Sequence, residues 1–134
     1  MNEKYYRIEV IDRTLWVTAT GSSKMSVVQA YVQDFRAAAN NLLKSPWACV
    51  LDLRLWQPSP HETLALLQDN TRWCYQHGLQ LGIAIVPADP VAVWQHLKAT
   101  SAYAPANAER HQLQSCEEAQ ALLRQRGFLA PVSC

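Results

Sequence analysis

The sequence predicts an α/β domain built on a five-stranded, mixed but mostly parallel sheet, with elements in the order ββαβαβαβα. Three observations carry that prediction. From about residue 26 onward, short apolar runs alternate with segments of helical period, the pattern of strand–helix–strand units. The two β-rich runs at the start are separated only by Asp12-Arg13-Thr14, which is hairpin spacing. Helix-start signals recur at Ser26, Ser59, Asp89 and Ser115.

Tyr5–Ile11 and Leu15–Thr20 are rich in Val, Ile, Tyr and Thr and read as strands, ended by Gly21-Ser22-Ser23. A tight turn makes the first of them antiparallel and places it at an edge, whereas strands separated by helices pair in parallel through right-handed crossovers. Val28, Tyr31, Val32, Phe35, Ala39 and Leu42 recur at helical spacing, Ser26-x-x-Gln29 has the form of a capping box, and Ser45-Pro46 ends the helix. Trp47–Leu53 is apolar at nearly every position and reads as a buried strand. After the loop Arg54–Pro58, Ser59 fits an N-cap, Pro60 the first helical position and Glu62 the closing side chain of the box. That helix runs to His77 and stops at Gly78, a residue suited to the left-handed position after a helix. Leu81–Val86 is a short strand, Asp89-Pro90 opens a helix to about Ala99, a strand lies near Arg110–Gln114, and Ser115-x-x-Glu118 caps a last helix ending at Gly127.

At 134 residues the chain is expected to be one domain, residues 1–134, without internal repeat or linker. Hydrophobic residues at 49% and charged residues at 17% give the balance of a globular core rather than of disorder. A net charge of +1 with no Lys/Arg cluster argues against nucleic-acid binding, where phosphate neutralisation supplies most of the affinity. The N-terminus lacks the apolar stretch of a secretory signal, and the longest apolar runs, Trp47–Leu51 and Leu81–Val86, are too short for a membrane span. A cytoplasmic location is therefore expected. Cys49, Cys74, Cys116 and Cys134 form no Cys-x-x-Cys pair and are expected to be free thiols in a reducing compartment.

The element order, together with Val50-Leu51-Asp52-Leu53-Arg54 followed by a helix start, resembles the STAS domain (SpoIIAA-like) family, whose type members are bacterial anti-sigma factor antagonists. The likeness spans about residues 5 to 127, and the strand end Asp52-Leu53-Arg54-Leu55-Trp56 is similar to that of short bacterial SpoIIAA-like proteins of unknown role. It implies a β–α superhelix with strands in sequential order and helices mainly on one face, and a non-enzymatic regulatory or protein-interaction role. The phosphorylated antagonists carry Asp-Ser-Ser-Gly at the helix start after this strand. Here Gln57-Pro58-Ser59-Pro60-His61 stands in that region, so no phosphorylation switch is expected; Ser59 is the one serine left to carry it.

Several residues invite a chemical role, each against a plainer one. A phosphate on Ser59 would meet the free N–H groups of a helix N-terminus, but the cap reading already accounts for the serine, and Glu62 would repel the phosphate. Asp52, Arg54 and His61 gather near the carboxyl end of a central strand, where open α/β sheets bind ligands. Asp and His can act as an acid–base pair and Arg can hold an anion, yet no oxyanion loop accompanies them; a hydrogen bond that fixes the turn is the preferred reading. Cys74 and His77 have one pair's spacing for a metal, but zinc needs a second pair, and Cys74 shares a stripe with Leu64, Leu67 and Thr71 as a core thiol would. No phosphate-binding glycine loop and no Gly-x-Ser-x-Gly occurs. No metal, cofactor or catalytic residue is therefore assigned.

Trp16 lies opposite Leu15, Val17 and Ala19 by strand alternation, on the face expected to carry less helix cover. It is either an interface anchor or a side chain packed against a chain terminus. The leading expectation is a STAS-like domain acting through protein contacts, with a partner of unknown identity and self-association into a homodimer. The alternative is a small-molecule or lipid-binding module with an apolar crevice near Trp56. Binding residues on either reading are Trp16, Arg54, Trp56, Ser59 and His61.

Overall fold

The computed structural model describes residues 5–21, 24–87, 89–100 and 105–130. Strands β1 (Tyr6–Ile11), β2 (Thr14–Gly21), β3 (Trp47–Trp56), β4 (Leu79–Ile85) and β5 (Glu109–Leu113) form one sheet in sequential order. β1 runs antiparallel to β2, and the other three pairings are parallel. Helices α1 (Met25–Ala39), α2 (Leu64–Gln76), α3 (Pro90–Thr100) and α4 (Cys116–Gln125) follow β2, β3, β4 and β5 in turn. The hairpin turns at Asp12, whose φ of 53° is left-handed, a conformation Asp tolerates.

The strand after α1 is longer than expected. β3 continues past Leu53 because Thr20 and Gly21 of β2 pair with Leu55 and Trp56 after a register shift at Thr18–Thr20. Arg54 and Trp56 are therefore strand residues; alternation alone would put them on one face, but the shift inserts one extra β3 residue between Asp52 and Leu55, and Trp56 packs with Leu53 instead.

Two expected caps do not form. α1 begins at Met25, with Lys24 in the cap position and no side-chain cap bond; the Val27 and Val28 amides donate instead to the Lys24 carbonyl. Ser59 is not a cap either. Pro60 is extended (φ −53°, ψ 142°) and leads into a short 3-10 helix, His61–Thr63, that feeds α2. The backbone of Ser59 is engaged elsewhere: its amide donates to Gln95 Oε1 at 2.9 Å and its carbonyl accepts from Gln95 Nε2 at 3.0 Å. The other two caps form. Asp89 Oδ1 accepts from the Val91 amide at 2.8 Å, and Ser115 Oγ accepts from the Glu118 amide at 3.2 Å while lying 3.3 Å from Glu118 Oε1. Ser115→Ala should accordingly cost about 0.5–2 kcal/mol and Ser115→Asp little. An unchanged urea midpoint for Ser115→Ala would contradict this.

The helices divide between the two faces. Phe35 and Ala39 of α1 and Cys74 of α2 pack with Leu15, Val17 and Cys49. Ala92 of α3 packs with Leu53 and Ala84 on that same side. Ala119 and Leu123 of α4 pack on the opposite side, against Ala48, Val50, Ile83 and Ile85. Successive right-handed crossovers through strands added in one direction put α1, α2 and α3 on one face. No described strand follows α4, so handedness does not hold it there. The face expected to carry less cover has one helix to the other's three, yet Ala48 and Val50 on it are 0% exposed. Trp16 is half-buried in the α4-side cluster with Phe128 and Leu129, which takes the second of its two readings. The segment after α4 is pinned to the hairpin turn: the Phe128 carbonyl accepts from the Arg13 amide at 3.1 Å and from Thr14 Oγ1 at 2.9 Å.

Candidate functional site

Between the sheet and α1–α3 lies a cavity of about 510 Å³, within the range that encloses small ligands. Its wall on the sheet side is built from Val17 and Ala19 of β2, Leu51 and Leu53 of β3, and Gly82 and Ala84 of β4. The helices contribute Tyr31 and Phe35 of α1, Leu67 and Cys74 of α2, and His96 of α3. The space exists because β4 presents small residues where its neighbours present large ones. A Cβ placed on Gly82 would meet only the Tyr75 hydroxyl, at 3.6 Å.

Most of the lining is apolar, and the polar groups gather toward α3 and β5. Arg110 Nη2 donates to Thr100 Oγ1 at 3.0 Å. Burial, reinforced by the Arg110 charge, lowers the His96 imidazole to about 4, so it is neutral at neutral pH. Burial pushes the Tyr75 phenol up despite the pull of Arg110. On the α2 side, Asn70 Oδ1 accepts from Arg36 Nε at 3.1 Å, which ties that polar residue to α1.

Of the five residues singled out in the sequence, Trp56 and Ser59 line this cavity. Trp56 packs with Leu53, Ala84 and Ala92. Ser59 is buried, so its hydroxyl is not presented at the surface. Trp16 is on the other face, and Arg54 and His61 are exposed.

The strand-end cluster serves to brace the sheet. Arg54 grips Asp52 with two contacts, Nε to Oδ1 at 3.0 Å and Nη2 to Oδ2 at 2.8 Å, and its amide donates to Oδ1 at 3.3 Å. Burial raises the Asp52 carboxyl, but the hydrogen bonds and charge of Arg54 outweigh it and hold the group below its ordinary value. Arg54 Nη2 also reaches Cys116 Sγ at 3.2 Å, linking β3 to the start of α4. Burial raises the Cys116 thiol; Arg54 pulls it down and Asp52 pushes it up, and the net shift is upward, away from a reactive thiolate. Among the described residues no hydrogen bond or ion pair joins His61 to Asp52, so the acid–base pair considered in the sequence is not assembled.

The metal pair is likewise dispersed. Cys74 is in the core, and its thiol is raised by burial. His77 stacks on Trp73 at 4.5 Å, with Nδ1 at 2.7 Å from the Trp73 carbonyl. Among the described residues no three His, Cys, Asp or Glu side chains come together as a metal site, and no helix is long and apolar enough to cross a membrane. Cys134 lies outside the described residues.

Sequence reasoning gave Tyr75, His96 and Arg110 no place at a ligand cavity. Their signal is faint but present: Ala92, His96 and Ala99 fall on one stripe of α3, in which a polar residue sits between small ones.

No protein-family profile and no curated protein matches the sequence. Solved structures do match it. One is a protein of the DUF3478 family from Shewanella loihica, described as having a SpoIIAA-like fold: TM-score 0.64, 13% identity, over 89% of this chain and 94% of that one. Another is the anti-sigma factor antagonist SpoIIAA in its unphosphorylated form: TM-score 0.56, 12% identity, over 91% of this chain and 98% of that one. The fold is thus shared along nearly the whole length, and this chain, with its sequential five-stranded sheet, has a SpoIIAA-like fold.

Proposed function

We propose that this chain, residues 1–134 as one domain, is a non-enzymatic regulatory domain that acts in the bacterial cytoplasm by contact with another protein. The observation that carries the reading is the fold shared with an anti-sigma factor antagonist over 91% of the chain. Two features support it. The groups best placed for catalysis, Asp52 and Arg54, are spent on each other. The side of α3 away from the cavity also exposes Val91 and Trp94 at one-turn spacing, with Trp94 51% exposed, the kind of apolar anchor that protein contacts use. Arg54 and His61 remain surface candidates for the same contact.

Self-association belongs to this reading through an edge rather than the sheet face. β1 is an edge strand, and its Val10 and Ile11 are 47% and 43% exposed. Exposed apolar edges are templates for strand pairing, and two-fold pairing is the commonest closed assembly.

The cavity favours a second reading, a module that holds a small apolar ligand between the sheet and α1–α3, with Trp56 and Ser59 in its lining. Native mass spectrometry of the protein isolated from its own host tests all three. A second chain of defined mass is expected on the first reading, twice 15.1 kDa on self-association, and a small non-covalent adduct on the ligand reading. A bare 15.1 kDa species at micromolar concentration would count against all of them.

A further inference from the structure

We infer that the cavity takes an amphiphile: an apolar chain lying along the β3 side, with an anionic oxygen head group, carboxylate or phosphate ester, seated on Arg110. This rests on the ligand reading of the cavity and specifies its chemistry.

The register of the sheet places the cation. Arg110 of β5 pairs with Gly82 of β4, and strand alternation puts both on the cavity face. Gly82 has no side chain to block it, so the Arg110 side chain joins the cavity lining. Its hydrogen bond among the described residues is to the neutral Thr100 hydroxyl, and none of the ion pairs among them includes Arg110. The other arginines of the described structure that form ion pairs (Arg7, Arg36, Arg54 and Arg126) all face carboxylates. A guanidinium carries five N–H donors in a planar fork suited to two oxygens of one anion, so most of the donor capacity of Arg110 is unspent.

Among the described residues that line the cavity there is no carboxylate, and Glu109, next to Arg110 in the chain, is paired with Arg126 and His111. His96 is neutral at physiological pH, its ring has no hydrogen-bond partner among the described residues, and Tyr75 is held protonated. A half-buried cation beside a mostly apolar space is poorly served by protein alone and well served by an anionic ligand. The far end offers Phe35, Leu51, Leu53 and Trp56 to a hydrocarbon chain.

The test is isothermal titration calorimetry of the full chain with dodecanoate, dodecyl phosphate and the neutral 1-dodecanol, each below its aggregation concentration. At least one anion should bind about tenfold or more tightly than the alcohol, as a charged hydrogen bond warrants, and that anion identifies the head group. Arg110→Gln should bring it to the affinity of the alcohol and leave the alcohol unchanged. The three-ligand comparison on the unaltered protein stands even if that variant fails to fold. Equal binding of all three ligands overturns the anion site while leaving the cavity reading intact. Binding of none of them overturns the cavity reading itself.

Discussion

Trp47→Ala is expected to lower the free energy of unfolding by about 3–5 kcal/mol, the usual cost of removing a large buried aromatic side chain, a large share of the roughly 5–15 kcal/mol typical of a domain. Trp47 opens the central strand β3 and is 0% exposed. Its ring packs against Phe35 of α1 at 6.4 Å between centroids, and its Nε1 donates to the His77 carbonyl at the end of α2 at 2.9 Å. One side chain thus joins the strand to two helices. The helix end also depends on Gly78, whose φ is +95° and whose missing Cβ would stand 3.7 Å from the indole. Trp47→Phe should lose less, because it keeps most of the apolar contact and gives up the hydrogen bond, worth about 1 kcal/mol. Urea unfolding of the two variants against the parent decides it: a Trp47→Ala loss below about 1 kcal/mol would show that the core does not hinge on this residue.

The second large effect is a loss of stability between pH 6.5 and about 4 that comes from His96. Burial first, and the positive charge of Arg110 second, hold this imidazole at about 4 in the folded chain, against 6.5 for the ordinary group. Above pH 6.5 both folded and unfolded states carry it neutral, and its contribution is fully present. As pH falls through that value the unfolded chain takes up the proton and the folded chain does not, so folding is penalised until the folded group also titrates. By pH 4.5 the loss should be roughly 2–3 kcal/mol. The carboxyls held low by arginine, Asp52 beside Arg54 and Glu109 beside Arg126, lose their advantage as pH falls below their ordinary values of 3.8 and 4.5, Glu109 down to about 2. The interval between pH 6.5 and 4.5 therefore isolates the histidine from them. Urea midpoints at pH 7 and 4.5 should differ markedly for the parent and much less for His96→Gln. Equal slopes for both proteins would place His96 in water.

The capping signals show how far local sequence reaches. Ser59-x-x-Glu62 and Ser115-x-x-Glu118 have the same form, yet only Ser115 caps a helix. Among the described residues the bonds of Ser115 go to Glu118 and Ala119 of its own helix, so the local preference is realised. Ser59 precedes a proline that stays extended, and both of its backbone groups are taken by Gln95, 36 residues away. The Asp52–Arg54 group at the strand end follows the same division. The Asp52–Arg54 contact between residues two apart was legible, whereas its extension to Cys116, 62 residues beyond Arg54, was not.

What the sequence by itself determined is the set of elements, their order and their pairing sense. Apolar runs of strand length, helical stripes and a short polar turn are local patterns, and right-handed crossovers convert them into a sequential sheet with little freedom left. The tertiary structure alone decided where α4 goes and what lies beneath α1–α3. α4 is followed by no described strand, so burial of Ala119 and Leu123 against Ala48, Val50 and Ile83, together with the ties of Cys116 and Phe128 to β3 and the hairpin, holds it on its face, and that choice covers Trp16. The cavity is a difference in volume between rows of side chains on β2, β3, β4 and three helices. Gly82 and Ala84 leave it unfilled, while His96 and Arg110 reach it from elements that the sequence keeps apart. A packing deficit of that kind has no local signature, because it belongs to the contact between elements and to none of them singly.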